Sequence, residues 1–375
     1  MNLNLSSLPG ISELENLIVT KAIRKKSPPE GNIPDTRRIL YVIKRISNCG
    51  GIETRVLQYA ELLVQRGYSV TFLTETNRFA PLGKFPCYHL NFLARNFEKC
   101  LIALITGLGI GTLEVQVKGG KCLKFMDVEN LRKYCRVGCC IHSNIRKPDL
   151  EVLNRMDYRI LISNALPHID YPQLQPYKVL PISIAYNMPQ WRYKGQRTAL
   201  LVSRIALGKY NQIAAFAEYC QTSGIPFHIA GPKLSHRTVK RLKKRFNLHS
   251  GHFIGKIDNA IDYLLAHTDE YLFVAGVGHV LLEAASLGYP CFLASDLGAE
   301  YSTFITQRNI QGNFGCNLTL AYKSNLTNVE QEKSIRIDEL GKYDISDALK
   351  KRFNLQNRYA EYEEYVFSAV RPQPN

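Results

Sequence analysis

Short apolar runs alternate with amphipathic stretches along most of the chain. The runs at 39–43 and 70–74 read ILYVI and VTFLT, which is the length and composition of buried strands. Between them, apolar residues from Ile52 to Arg66 recur at the spacing of one helix face, and Gly67 ends the stretch. A strand, a helix and a second strand in this order predict the repeating unit of a parallel sheet.

The same alternation predicts two wound α/β sheets rather than one. Further strands are expected at 113–117, 137–141, 159–163, 199–203, 227–231, 252–255, 271–275 and 290–295. In the second half, helices are expected to start near Asn211, Asn259 and His279. The regularity lapses at 186–189, where we place a domain boundary. The predicted division is an extension at 1–36, domains at 37–188 and 189–347, and a C-terminal helix within 348–375 that packs back on the first domain.

Basic residues outnumber acidic ones, 48 to 32, and give the chain a formal net charge of +16. Such a charge predicts an anionic partner. The basic residues cluster at 21–26 and 240–245, and neither cluster has the interleaved aromatic residues of a nucleic-acid surface. No nucleic-acid partner is therefore expected. We expect peripheral contact with an anionic membrane, with solvated helix faces as the alternative.

Neither export nor a membrane-spanning segment is expected from the sequence. The most apolar stretch, 100–113, is broken by glycines and is shorter than the roughly 20 residues that a spanning helix needs. The N-terminus lacks a basic start followed by an apolar core. The ten cysteines form no CxxC pair, and scattered free thiols are typical of a reducing compartment. The expected location is the cytoplasm or the inner face of its membrane.

Candidate ligand-binding residues follow the predicted strands. Gly50 and Gly51 lie between a strand and a helix, where backbone amides can approach a phosphate or a sugar. In the second half, Arg204 and Lys209 follow a strand. A glycine turn then opens a helix that carries a single carboxylate, Glu283. A cationic pair, a helix start and one acid are groups that can hold a nucleoside diphosphate.

The order of these motifs resembles that of the retaining glycosyltransferases of GT-B fold, and of family 4 in particular. In the first half, the resemblance lies in a strand, a Gly-Gly-x-Glu loop and a helix ending in Arg-Gly-Tyr. In the second half it lies in LLVSRIALGK (200–209), FHIAGP (227–232), HFIGKID (252–258) and VGHVLLEAASLGYPCFLASDLG (277–298). The resemblance covers roughly residues 38–300. It implies two Rossmann-like, doubly wound parallel-sheet domains that face a cleft, with ligands at the carboxyl ends of the strands.

The resemblance also implies roles for individual residues. Arg204 and Lys209 would grip the donor diphosphate and neutralise the leaving group, so that no metal is required. Glu283 would accept hydrogen bonds from the ribose hydroxyls. His142 matches a position where the family often has a histidine near the donor sugar. The other donor-site candidates are Gly50, Gly51, Gly231, Gly278 and His279. The plainer alternatives are surface charges for the two cations, a helix carboxylate paired with a lysine for Glu283, and a core histidine for His142.

One position departs from the family pattern. The family usually carries a second glutamate eight residues before the one matched by Glu283, and Ala275 occupies that place. In the family this glutamate normally touches the transferred sugar. Three interpretations stay open. The sugar is held differently, or His279 or Asp258 substitutes, or the chain binds a nucleotide sugar without catalysis.

The activity implied by the resemblance is sugar transfer from a UDP- or GDP-linked donor, which is a co-substrate rather than a cofactor. The acceptor would be a hydroxyl on a glycan or lipid-linked molecule, and the anomeric configuration would be retained. One alternative is a sugar-nucleotide epimerase of the same fold, which would turn over the donor without an acceptor. Another is a non-catalytic subunit that supports a partner enzyme, and Ala275 is its main support.

Overall fold

The computed structural model describes residues 35–46, 51–77, 80–117, 123, 126–142, 147–162, 174, 176–184, 189–232, 235–257, 259–310 and 331–367. Gly50, Asp258 and the extension up to residue 34 lie outside the described residues. The chain divides into two compact units. The first unit holds the residues up to Leu180 and those from Tyr359 onward, and the second unit is Pro181–Arg358. The domain limits drawn from the sequence stay a prediction.

The strands of the described residues are β1 (Arg38–Val42), β2 (Arg45–Ile46), β3 (Ser69–Thr74), β4 (Thr76–Asn77), β5 (Cys87–His89), β6 (Thr112–Val117), β7 (Arg136–Ile141), β8 (Tyr158–Leu161), β9 (Lys178–Val179), β10 (Thr198–Val202), β11 (Phe227–Ala230), β12 (Phe253–Gly255), β13 (Tyr271–Gly276), β14 (Cys291–Leu293) and β15 (Thr303–Ile305). The α-helices are α1 (Gly51–Gln65), α2 (Phe97–Leu108), α3 (Val128–Leu131), α4 (Lys147–Asn154), α5 (Tyr210–Thr222), α6 (His236–Phe246), α7 (Ala260–Ala266), α8 (His279–Ser286), α9 (Ser346–Phe353) and α10 (Leu355–Phe367).

The first unit is built on a seven-stranded sheet in the order β5-β3-β1-β6-β7-β8-β9, with every neighbouring pair parallel. One face of this sheet is apolar and packs against α2, α3 and α4. Leu113 and Val115 of β6 contribute to that core, as do Phe97 of α2, Leu131 of α3 and Leu153 of α4. Because each of these side chains is buried, each contributes roughly 1.5–3 kcal/mol to folding.

The other face of the first sheet carries polar side chains. Glu114 and Gln116 alternate with the apolar residues of β6 and therefore point to the face opposite the apolar core. Both side chains are nevertheless buried, because α1 and α10 cover this face. Arg55 of α1 donates a hydrogen bond to Cys140, and Tyr362 of α10 donates one to Glu114. The C-terminal helix α10 thus belongs to the core of the first unit.

The second unit is built on a six-stranded sheet in the order β12-β11-β10-β13-β14-β15. All neighbouring pairs are parallel except β14 and β15. One face packs on α5 and α6, with Phe216 and Leu242 in the core. The opposite face packs on α7, α8 and α9, with Leu264, Leu281 and Leu349 in the core. A mainly parallel sheet with helices on both faces is the Rossmann-like architecture that the sequence predicts.

The central elements predicted from the sequence are present, with ends that differ by at most two residues. The strand expected at 199–203 is β10, and the helix expected from His279 is α8. The apolar stretch at 100–113 contains most of α2, which stops at Gly109 in the left-handed conformation. No helix within the described ranges is both long and apolar enough to cross a membrane. The strands that the sequence did not predict are short, such as β5, β9 and β15.

Candidate functional site

The candidate site in the second unit lies at the carboxyl edge of its sheet. β10, β13 and β14 are neighbours, so the loops that follow them meet at this edge. Backbone hydrogen bonds also join the ends of β10, β11 and β12: Gly231 N–H donates to Gly255 O at 2.6 Å, and Ile205 N–H donates to Pro232 O at 3.0 Å. This edge is where open parallel sheets of this kind bind ligands.

Lys209 forms an ion pair with Asp296, which is not among the site residues predicted from the sequence. Its Nζ lies 2.7 Å from Asp296 Oδ2, across a sequence separation of 87 residues. Asn211 strengthens the same connection, because its Nδ2 donates to Asp296 O at 3.2 Å. The side chains of Lys209 and Asp296 keep 22% and 44% of their surface exposed. The ion pair is therefore solvated, and an anionic ligand can compete with Asp296 for the ammonium group.

Arg204 follows β10 and is exposed. Within the described part of the chain, its guanidinium makes no hydrogen bond or ion pair. The neighbouring residue Ser203 fixes the start of this loop, because its Oγ donates to Gln212 Oε1 at 3.0 Å and its N–H donates to Ala230 O at 2.9 Å. A solvated guanidinium on an anchored backbone is suited to phosphate oxygens, which it can contact with two parallel N–H groups.

Gly231 is required by backbone packing. It has a φ of +142°, and a Cβ atom at this position would lie 1.9 Å from Ser203 O. Because its N–H donates to Gly255 O, Gly231 allows the loops after β10, β11 and β12 to approach one another. A direct contact of Gly231 with a donor stays a prediction.

The glycine turn after β13 opens α8. Gly278 has a φ of +63° and is the N-cap residue of this helix, a conformation that favours glycine. The first turn of α8 contains no acidic residue. Its positive end is therefore not neutralised by its own side chains and can favour an anion.

His279 and Glu283 form a pair one turn apart on α8. His279 Nδ1 lies 3.0 Å from Glu283 Oε1, and the two side chains are only 10% and 14% exposed. Burial lowers the pKa of His279, but the charge of Glu283 and its hydrogen bond raise that pKa by more, so the net pKa lies above the ordinary value. His279 Nε2 is buried and has no hydrogen-bond partner in the described structure. Glu283 therefore favours the charged form of the ring, and one ring nitrogen has no hydrogen-bond partner among the described residues.

Ala275 lies in the core rather than at the surface of the site. It is fully buried in β13, in the apolar cluster that also contains Leu201 and Phe273. A glutamate here would place a carboxylate in an apolar environment, at a cost of several kcal/mol. In this chain, the position at which the family usually has a glutamate is therefore occupied by a residue that packs in the core.

In the first unit, His142 lies at the carboxyl end of β7. Its Nε2 is 2.7 Å from Gln116 Oε1, and Gln116 Nε2 donates to Glu114 Oε1 at 2.5 Å. Gly51 is the first residue of α1. Gly50 and Asp258 are outside the described residues, so the structure does not test the roles predicted for them.

Arg204 and Lys209 follow β10, His279 and Glu283 lie on the helix that follows β13, and Asp296 follows β14, so all five belong to segments that follow neighbouring strands at one sheet edge. The sequence did contain a signal that Asp296 belongs to this edge, because the residue directly follows a predicted strand in the segment FLASDLG. The described residues include no group of three or more His, Cys, Asp or Glu side chains arranged to hold a metal ion. Chemically, the edge offers two cationic side chains, a histidine whose charged form Glu283 favours, and a helix start, which suit an anionic ligand.

No protein-family model matches the chain, and no curated protein sequence has significant similarity to it. Solved structures do match. A glycosyltransferase from Rickettsia africae has a TM-score of 0.63 and 12% identity over 89% of this chain and 99% of its own. Anabaena HepE, solved with UDP and glucose, has a TM-score of 0.60 and 15% identity over 88% and 98%.

A third structure is a putative UDP-N-acetylglucosamine 2-epimerase from Listeria monocytogenes. It has a TM-score of 0.51 and 11% identity over 90% of this chain and 99% of its own. The chain has the GT-B fold. At these identities the likeness describes the two Rossmann-like units and their order along the chain, and both transferases and an epimerase share it.

Proposed function

We propose that this protein is a glycosyltransferase that moves a sugar from a UDP- or GDP-linked donor to a hydroxyl on a glycan or lipid-linked acceptor. The observation that carries the proposal is that Arg204, Lys209 and α8 all follow neighbouring strands at the carboxyl edge of one sheet. Anabaena HepE, which has the same fold, was solved with UDP and glucose. By the family resemblance, the transfer retains the anomeric configuration and needs no metal.

In this proposal the donor diphosphate takes the place of Asp296 on Lys209. Arg204 contacts the same phosphates, so the charge that develops on the leaving group is neutralised by two fixed cations. The departing phosphate itself accepts the proton of the acceptor hydroxyl, and catalysis consists mainly of positioning and charge stabilisation. Glu283 has a second carboxylate oxygen, Oε2, that can accept hydrogen bonds from the ribose hydroxyls.

His279 supplies the sugar or phosphate contact that the family obtains from a glutamate at the position of Ala275. Support comes from its buried Nε2, which has no partner among the residues described, and from the cationic form that Glu283 favours. Since Ala275 is packed inside the core, restoring a glutamate there is expected to destabilise the unit instead of improving catalysis.

Calorimetric titration with UDP-glucose, UDP-N-acetylglucosamine and GDP-mannose in the presence of a chelator tests the proposal. One of these donors should bind, and Arg204→Ala or Lys209→Ala should weaken its binding about 10- to 100-fold, since each removes a hydrogen bond from a charged group. Radiolabelled transfer to membrane-extracted acceptors should fall in parallel.

Lys194→Ala is a matched control. Lys194 is exposed and also paired with an acid, Asp269, but it lies just before β10, at the opposite edge of the same sheet. Donor affinity should therefore be unchanged in this variant. Equal weakening in all three variants, or full affinity in both Arg204→Ala and Lys209→Ala, would exclude the assigned diphosphate site.

The epimerase is retained as a second candidate because a putative UDP-N-acetylglucosamine 2-epimerase shares the fold. It differs in one respect that can be measured. An epimerase changes the sugar of the donor without any acceptor, whereas the transferase requires one. Binding without turnover under either condition would favour a non-catalytic subunit.

We also propose that the exposed face of α6 docks on an anionic membrane. No acidic residue occurs from 219 to 257. Arg237, Lys240, Arg241 and Lys244 are exposed and have the spacing of one helix face, while Leu242 faces the core. Each basic residue near an anionic surface contributes about 1 kcal/mol of attraction, so the four together provide useful affinity.

Vesicle co-sedimentation tests this contact. A triple variant with Lys240→Glu, Arg241→Glu and Lys244→Glu should bind phosphatidylglycerol vesicles about 100-fold more weakly than the wild type. The control has the same charge change at scattered exposed lysines, Lys84→Glu, Lys133→Glu and Lys351→Glu. An equal loss in both would mean that net charge alone, and not the surface of α6, governs binding.

A further inference from the structure

A row of in-register residues crosses the polar face of the first sheet. Tyr41 of β1 is opposite Glu114 of β6, Glu114 is opposite Gly138 of β7, and Gly138 is opposite Tyr158 of β8. A Cβ atom on Gly138 would lie 2.2 Å from the Tyr158 ring. The missing side chain therefore lets Tyr158 lie across β7 and reach Glu114.

Glu114 is fully buried and accepts hydrogen bonds from several directions. Its Oε2 accepts from Tyr362 of α10 at 2.9 Å and from Tyr158 at 3.2 Å, and its Oε1 accepts from Gln116 Nε2 at 2.5 Å. Tyr41 lies 2.8 Å from Tyr362 and can donate to it. Three donors converge on the carboxyl group, so both of its oxygens act as acceptors.

Burial and the neighbouring groups act on this carboxyl group in opposite directions. Burial raises the pKa of Glu114 and has the largest effect, so the pKa is raised on balance, whereas the charge of Arg55 and the three hydrogen bonds favour the ionised form and offset part of the rise. Arg55 is itself 1% exposed, and its Nη1 lies 3.2 Å from Cys140 Sγ. The buried carboxylate and the buried guanidinium therefore compensate each other within the core of the first unit.

The acceptor role of Glu114 determines the orientation of the Gln116 amide. The NH2 group of Gln116 must face Glu114, because a carbonyl oxygen directed at a carboxylate would be repelled. The carbonyl oxygen Oε1 then faces His142 Nε2 at 2.7 Å. Since a carbonyl oxygen can only accept, the hydrogen of this contact belongs to Nε2 of His142.

We propose that Gln116, held by Glu114, is a positioning residue that fixes His142 in the Nε2–H tautomer and leaves the lone pair of the neutral ring on Nδ1. Any group that contacts Nδ1 of the neutral ring must then donate a hydrogen bond to it, as a sugar hydroxyl would. This last step rests on the proposed function, whereas the tautomer and its cause do not. A carboxyl group in the core thus sets the chemistry of a ring at the sheet edge.

Nitrogen NMR of the full chain labelled with ¹⁵N-histidine tests the proposal directly. Two-bond nitrogen–proton correlations distinguish the two tautomers, and the His142 signal is assigned by its loss in His142→Gln. At about pH 8, where an unperturbed imidazole is neutral, His142 should be a single Nε2–H tautomer with a slowly exchanging Nε2 proton. In Gln116→Leu, the ring should become a mixture of tautomers and the Nε2 proton should exchange rapidly.

Gln196→Leu is the matched control, because Gln196 is also a buried glutamine but belongs to the second unit. The tautomer of His142 should be unchanged in that variant. An Nδ1–H tautomer or a mixture in the wild type overturns the proposal without any variant, and so does a single Nε2–H tautomer in Gln116→Leu.

Activity separates this proposal from the proposed function. If the protein is a transferase, kcat of Gln116→Leu should fall about 5- to 10-fold, the equivalent of one hydrogen bond, while the donor KM stays within about twofold. If the wild type has no transferase activity, the proposed function fails, and the tautomer measurement still decides the role of Gln116.

Discussion

The two sheets of this protein place their charged groups in opposite ways. In the first unit, Arg55 and Glu114 lie in the core and are 1% and 0% exposed. In the second unit, Lys209 and Asp296 are paired at the edge of the sheet and keep 22% and 44% of their side-chain surface exposed. Both arrangements are built on Rossmann-like sheets, so the difference lies in which elements cover the polar residues.

This difference indicates what each pair can do. A buried charge has lost its hydration, so it depends on fixed partners and can only orient the groups around it. A solvated pair gains little from its partner and can exchange that partner for a ligand. The core charges therefore maintain the structure and, through Gln116, act on the tautomer of His142, whereas the edge pair is suited to binding an anion.

The largest expected effect follows from removing the core carboxylate. Glu114→Leu leaves the Arg55 charge without compensation and removes the acceptor of Gln116, Tyr158 and Tyr362. We expect a loss of about 3–5 kcal/mol in the free energy of unfolding. Urea denaturation followed by circular dichroism measures this loss.

The control for this variant is a charged pair at the surface of the same unit. Glu363 of α10 is paired with Arg66, whose side chain is 46% exposed, so Glu363→Leu should cost no more than about 1 kcal/mol. Both variants remove a carboxylate that connects α10 to the first unit. A similar loss in the two variants would show that burial does not distinguish them.

Most of the fold could be predicted from the sequence because most of the central strands are apolar runs of four to six residues. Such runs signal buried strands without any knowledge of their neighbours. The short strands β5 and β15, of three residues each, were missed because they contain too few residues to show a periodicity. The order of the strands was not encoded locally, and the family resemblance implied only a doubly wound parallel sheet.

The core pair could not be predicted for a different reason. In the segment LEVQV, Glu114 and Gln116 alternate with apolar residues, a pattern that is typical of a strand with one solvated face. Here that face is covered by α1 and by α10, and Tyr362 of α10 is 248 residues away from Glu114 along the chain. A local sequence pattern therefore cannot reveal the partners that offset the cost of burying Glu114.

The donor-site candidates were easier to place because each follows a predicted strand, and carboxyl ends of parallel strands meet at one edge. Sequence spacing could not reveal how these residues pair. Lys209 and Asp296 are 87 residues apart along the chain. They meet because only β13 lies between β10 and β14 in the sheet, so the loops after those two strands lie close together. His279 and Glu283, in contrast, are one helical turn apart, and this spacing predicts their contact directly.

The smallest expected effect concerns this helical pair and is a dependence of stability on pH. The pKa of His279 is lowered by burial but raised by more through Glu283, so it lies above the value of about 6.5 in the unfolded chain. A raised pKa in the folded state means that the stabilisation is fully present below about pH 6.5 and is lost as the pH rises through the folded-state pKa.

His279→Gln keeps a donor toward Glu283 but cannot titrate. The difference in unfolding free energy between wild type and variant, measured in urea from about pH 6 to about pH 9, should therefore decrease as the pH rises. A difference that stays constant or grows would show that Glu283 does not favour the charged ring, and the cationic role assigned to His279 would then be wrong.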